Sequence, residues 1–104
     1  MFRATTPLHR FVFDQDPEQF EKILITYSQY GRTILEKRES DLSFSQPEEG
    51  TFQAAVRLTQ KEANLFKAGK VSIQIRALFP DGSVIASDII TVPVKDVLND
   101  EVLV

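Results

Sequence analysis

From Val71 to Phe79 the chain keeps a strict alternation: Val71, Ile73, Ile75, Ala77 and Phe79 take every second position, with Ser72, Gln74, Arg76 and Leu78 between them. That period of two belongs to a β-strand with one buried face, because a helix could not gather those side chains on one side. The run meets Pro80-Asp81-Gly82. Proline presets φ for the first central turn position, aspartate suits the second, and glycine accepts the left-handed conformation that follows, so a tight hairpin is predicted. The returning strand is Ser83 to Val94. Pairing outward from the turn sets Ala77 near Ile85, Ile75 near Ser87 and Ile73 near Ile89 on the core face. The opposite face then carries Leu78, Val84, Ala86, Ile90 and Val92, more apolar than a solvated sheet surface should be. Either a bulge near Ser87-Asp88 shifts the register, or this face is covered by a partner. On the second reading Leu78, Val84, Ile90 and Val92 are the candidate interface residues.

The same period recurs upstream. Phe52, Ala54, Val56 and Leu58 alternate with Gln53, Ala55 and Arg57. This strand ends at Thr59-Gln60-Lys61-Glu62, a capping box that predicts one or two helical turns through Leu65 and Phe66, stopping at Gly69. Ile23 to Gln29 and Arg32 to Arg38 flank Tyr30-Gly31 and read as a hairpin with Ile23, Ile25, Tyr27 and Ile34 on one face. Tyrosine suits a two-residue turn poorly, so a longer loop is expected there. Asp16-Pro17-Glu18-Gln19 reads as a capped single helical turn. Leu8 to Asp14 is a first strand with His9, Phe11 and Phe13 on one side. Leu42 to Ser45 is a short edge strand, closed by Pro47 and a turn at Glu48-Glu49-Gly50. Six or seven strands with turn signals between them and one or two short helical turns predict an all-β, antiparallel, immunoglobulin-like sandwich. One domain, residues 1–104, is expected, with 95–104 as a short polar C-terminal tail.

Composition narrows the function classes. At 104 residues and 42% hydrophobic the chain suits one core. Its 12 basic residues are scattered among 15 acidic ones, without the basic face that phosphate neutralisation needs, so nucleic-acid binding is not expected. The absence of cysteine excludes disulfides, thiolate metal sites and cysteine nucleophiles. No apolar run approaches the roughly 20 residues that cross a bilayer, and Met1 to Pro7 lacks the apolar region of a signal peptide, so a soluble protein with no membrane partner is expected.

Little points to chemistry. His9 is the only histidine, and without partners arranged around it neither a triad nor a metal site forms. Asp14, Asp16 and Glu18, and again Asp96, Asp100 and Glu101, are spaced acidic groups, but neither matches a calcium loop; capping explains the first and solvation the second. With no tryptophan and only Tyr27 and Tyr30, the platform on which sugars stack is thin, which also weakens a glycoside hydrolase reading. Of the eight phenylalanines, Phe11, Phe13, Phe52 and Phe79 fall on inward faces, whereas Phe2, Phe44 and Phe66 are candidates for a partner surface. No cofactor, metal or small-molecule substrate is expected.

The order of motifs carries a resemblance. Thr5-Thr6-Pro7, Ile25-Thr26-Tyr27-Ser28-Gln29 with Gly31, Arg57-Leu58-Thr59-Gln60-Lys61-Glu62, Ser72-Ile73-Gln74-Ile75-Arg76, Asp81-Gly82, Ala86-Ser87-Asp88-Ile89-Ile90 and Val97-Leu98-Asn99-Asp100 follow one another along the chain. Together they resemble short proteins of phages and prophages of Gram-positive bacteria, similar to the immunoglobulin-like N-terminal domain of phage baseplate upper proteins. The resemblance implies a non-enzymatic tail or baseplate component, located in the virion or in the host cytoplasm during assembly. Its partners would be other phage structural proteins or further copies of itself. Tyr30 departs from the pattern, as does the lack of a receptor-binding or fibre region. A carbohydrate or host-surface binding module is the alternative, and a small hydrolase a third.

Overall fold

A computed structural model describes residues Met1–Val104. The strands are β1 (Leu8–Phe13), β2 (Lys22–Gln29), β3 (Arg32–Arg38), β4 (Ser43–Glu48), β5 (Thr51–Arg57), β6 (Gly69–Leu78), β7 (Val84–Ala86) and β8 (Ile90–Val94). One helical turn, α1 (Gln60–Ala63), joins β5 to β6, and 3-10 turns occupy Pro17–Gln19 and Glu39–Asp41.

The alternation in β6 is realised as read: Val71, Ile73, Ile75 and Ala77 are all buried. β2 lies antiparallel on one edge of β6, with Ile25 opposite Ile75 and Tyr27 opposite Ile73. β7 and then β8 share its other edge, and β3 extends the sheet beyond β2. The second sheet has three strands in the order β1–β5–β4. Its inward residues Phe11, Ala54 and Val56 are buried against the first sheet. The 20 Å short axis is what two sheets about 10 Å apart, with their outer side chains, occupy.

This is the immunoglobulin-like arrangement, a three-stranded sheet facing one whose central pair is β2 and β6. The outermost first strand of that fold is reduced to a single parallel bridge, Phe2 to Lys95, beside the end of β8. One cluster of 13 buried side chains forms the core, and Leu58 and Phe66 close it at the end where α1 sits.

The caps are built as the sequence predicts. Thr59 Oγ1 accepts the Glu62 N–H at 3.1 Å while Glu62 Oε1 accepts the Thr59 N–H at 2.9 Å. Asp16 Oδ1 accepts the Glu18 N–H at 3.0 Å before Pro17–Gln19.

Four expectations need correction. The β2–β3 loop has only two residues, since Gln29 pairs with Arg32, and both Tyr30 (φ 51°) and Gly31 (φ 74°) are left-handed. Tyrosine holds this conformation because its ring lies over Gly69: a Cβ there would stand 2.9 Å from Tyr30 Oη, and the phenol donates to Ala68 O at 3.4 Å. Gly69 therefore opens β6, at φ 137°, and does not end α1. β4 continues past Pro47 to Glu48 through a register shift, as an edge strand permits. Finally, Phe66 is core, 1% exposed, and is no partner surface.

Substituting Ile75 by Asp places an unpaired charge between the sheets and should cost at least about 3 kcal/mol. Urea denaturation followed by β-type circular dichroism checks it; a variant as stable as the parent would contradict the inward assignment.

Candidate functional site

The two flanks of the sandwich are finished differently. On the β3–β4 flank, Lys37 lies opposite Ile25 and so on the inward side of an edge strand. Its Nζ meets Glu62 Oε2 at 2.6 Å. Burial pushes the Glu62 carboxyl up, but the bonds from Lys37 and Thr59 outweigh it and hold the group below its ordinary value. Leu42 and Phe44 are partly buried and pack on the core, so Phe44 also belongs to the interior.

The opposite flank, between β1 and β7–β8, is open. A cleft of about 640 Å³ enters here, walled by Phe11 and Phe13 on one sheet and by Ile75, Ala77, Ile85 and Ile90 on the other. Ile85 pairs with Ala77, and Ile90 with Ile73, so both belong to the core-facing side. They are nevertheless 42% and 47% exposed, because nothing covers them.

Ser87 explains how Ile90 comes to face inward. Its N–H donates to Ile75 O at 2.8 Å, and its Oγ accepts the Ile75 N–H at 3.0 Å in place of a backbone carbonyl. Gln74 Nε2 donates to the freed Ser87 carbonyl at 3.0 Å. One residue later the register has slipped: Ile73 pairs with Ile90 and not with Ile89. The bulge reading of the sequence is the one adopted.

The four candidate interface residues are therefore divided. Leu78 pairs with Val84 and both stay on the outer face of the sheet. Val92 pairs with buried Val71 and packs against the core, and Ile90 lines the cleft. They do not form one patch.

His9, on the inner side of β1, places Nδ1 2.7 Å from the hydroxyl of fully buried Tyr27. Its Nε2 is buried without a partner. Burial, and secondarily the N-terminal ammonium, pull its pKa below 6.5. Burial and then Glu62 push Tyr27 up. The neutral pair fits this setting, since an imidazolium would add a charge to a partly buried position with no carboxylate paired to it.

The acidic groups serve other ends. Asp16 caps its turn. Asp96 and Asp100 are not merely solvated: both pair with Arg3, at 2.9 and 3.2 Å, and Arg3 Nε donates to Phe66 O at 2.8 Å. Gln60 exchanges two bonds with Leu103, at 2.7 and 2.8 Å, so the tail is laid along α1. No group of three His, Cys, Asp or Glu side chains converges. Phe2 is half exposed, with Lys95 Nζ 5.6 Å from its ring centre.

Comparison with family models, with curated proteins and with solved structures finds no match. No helix is long and apolar enough to cross a membrane.

Two measurements test this geometry. Val84→Lys, on an outer face that is 55% exposed, should change stability by no more than about 0.5 kcal/mol, whereas Val92→Lys, packed on the core, should cost about 2 kcal/mol. Thermal melts of the two variants check the assignment, and equal losses would contradict it.

The second concerns pH. Because the folded state lowers the His9 pKa, the unfolded chain takes the proton first as pH falls below 6.5. Stability should be full above that value, decline below it, and level off once the folded histidine is itself protonated. His9→Gln should flatten this step and leave the carboxylate losses at lower pH. A parent whose melting temperature is constant between pH 7 and 5 would contradict it.

Proposed function

We propose that this chain is a non-enzymatic assembly module of a phage tail or baseplate, joining other structural proteins or further copies of itself through the open flank of the sandwich. The carrying observation is the cleft between β1 and β7–β8, where core-facing Ile85 and Ile90 lie uncovered. Apolar side chains that neither sheet covers are stabilised by a protein partner that does. The phage assignment rests on the order of motifs from Thr5-Thr6-Pro7 to Val97-Leu98-Asn99-Asp100. Apolar residues outnumber Arg10, Asp14, Gln15, Thr51 and Ser87 on the lining, and it holds no tyrosine or tryptophan on which a sugar ring would stack, which favours protein contacts over the alternative, a carbohydrate or host-surface module.

The test is incorporation. The chain should be found in purified particles from an induced lysogen and be encoded among tail-module genes. Ile90→Glu should lower its recovery in particles at least about tenfold while shifting the melting temperature by only a few degrees, since a charge is cheap in water and costly in a dry contact. Absence from particles together with metabolic neighbouring genes would overturn the reading, and selective retention on a glycan array would favour the alternative.

A further inference from the structure

Each sheet edge but one carries a device against strand addition. β4 is broken by a register shift at Pro47. β3 has Lys37 pointing inward and a bulge where Ile34 is left over between Tyr27/Ser28 and their partners. β7 has three residues before the break at Ser87, and β8 contains Pro93 and is flanked by Met1 to Arg3. β1 has none: its six residues pair with β5 without a shift, and no strand lies on its other edge. A regular, unprotected edge is a template for another chain.

The residues that face outward follow from one bond. Leu58 N–H donates to Pro7 O at 2.9 Å, which makes 7 and 58 a hydrogen-bonded pair. Alternation along the ladder then turns the N–H and C=O groups of residues 9, 11 and 13 toward β5 and those of Arg10 and Val12 toward the open edge, with Asp14 in the bend just past the end of β1. All three of these residues are exposed, Val12 by 71%. Arg10 and Asp14 have no ion-pair partner within the chain, so both charges are free to meet a partner.

The stretch Arg10-Phe11-Val12-Phe13-Asp14 is self-complementary about Val12 when run antiparallel to itself. We propose that the occupant of this edge is a second copy of the chain, joined by a two-fold β1–β1 pairing centred on Val12. Arg10 then lies opposite Asp14 of the other copy, twice, Val12 opposite Val12, and Phe11 opposite Phe13. Arg10 and Val12 are the strand positions whose backbone groups face outward, so the central Val12 pair exchanges its two N–H···O=C bonds in this register, and the Arg10–Asp14 pairs add opposite charges on either side. A one-residue shift loses both the charge match and the bonds. The three-stranded sheets become one sheet of six, and the apolar walls at Phe11 and Phe13 of the two clefts are brought side by side. The contact is isologous and closes at two copies. The inference rests on the assembly reading for its purpose, and on β1 alone for its geometry.

The full-length chain tests it by sedimentation over a concentration series. A dimer that dissociates on dilution is expected. Arg10→Asp and Asp14→Arg should each weaken self-association by roughly tenfold or more, because like charges then face each other across the strands. Mixing these two single variants, or combining both changes in one chain, should restore it. Since the chain has no cysteine, Val12→Cys supplies a single thiol. Its Cα would lie about 5.5 Å from its symmetry mate, within disulfide range, so an oxidant should link two copies, whereas Val84→Cys should stay unlinked. A chain monomeric at about 1 mM overturns the proposal, as does a dimer indifferent to the charge reversals and to the Val12 thiol. A monomer that still enters particles would sink the dimer alone. A dimer absent from particles would sink the assembly reading alone.

Discussion

Everything in this sandwich is referred to β6, the longest strand, which carries β2 on one edge and both β7 and β8 on the other. Its inward residues Val71, Ile73, Ile75 and Ala77 meet Ile23, Ile25 and Tyr27 across one ladder, and Val92, Ile90 and Ile85 across the other. A one-residue slip would turn each of these to solvent, so the register of β6 is held by the whole core. The second sheet then has only one way to lie, with Phe11, Ala54 and Val56 over that surface.

A central strand this regular transfers irregularity to its neighbours. On the β2 side the ladder runs unbroken from Lys22 to Ser28, and the bulge appears one strand further out, at Ile34. On the other side the bulge is adjacent, at Ser87, where a hydroxyl stands in for a carbonyl and keeps the Ile75 N–H satisfied. Leaving that buried donor unpaired would cost about 1–3 kcal/mol, so a residue with a short hydroxyl side chain is well matched to the break. The break has a geometric consequence as well. It ends β7 after three residues and brings Ile90 to the inner side at a place where the facing sheet has already stopped at β1. The open cleft is thus the joint product of a bulge in one sheet and a missing outer strand in the other.

How much of this was legible follows the range of the interactions involved. Alternation is local, and the strands, the Thr59–Glu62 cap and the Asp16 cap were readable because each signal lies within a few residues. The Ser87 bulge was legible as one of two choices, since the surplus of apolar residues opposite the core required either a slip or a cover. Tyr30 was misread because the ring that makes its left-handed backbone tolerable rests on Gly69, a contact with no local trace. Phe66 sits in a segment with no alternation to assign it inward. Arg3, which ties Asp96, Asp100 and the Phe66 carbonyl together, bridges 93 and 97 positions of sequence to its two carboxylates. Spacing along the chain carries no sign of such a clasp. The cleft belongs to the same class, since it depends on which strand ends up without a neighbour.

β1 shows how a single strand can separate stability from contact. Its odd positions do all the internal work: His9 meets the Tyr27 hydroxyl, Phe11 and Phe13 face the core, and their backbone groups bond β5. Of its even positions, half-buried Leu8 opens the strand, while Arg10 and Val12 are exposed and their side chains make no hydrogen bond or ion pair within the chain. Substitution at Arg10 and Val12 is therefore nearly free of folding cost, whereas the odd positions are constrained by packing on two sheets. An edge arranged in this way can change its partner charge by charge without disturbing the sandwich that presents it. The flank carrying Lys37 lacks that freedom, because its ion pair with Glu62 is also the cap of α1 and the seal of the core. That division of labour leaves the outward positions of β1, and not those of the Lys37 flank, free to change without cost to the core.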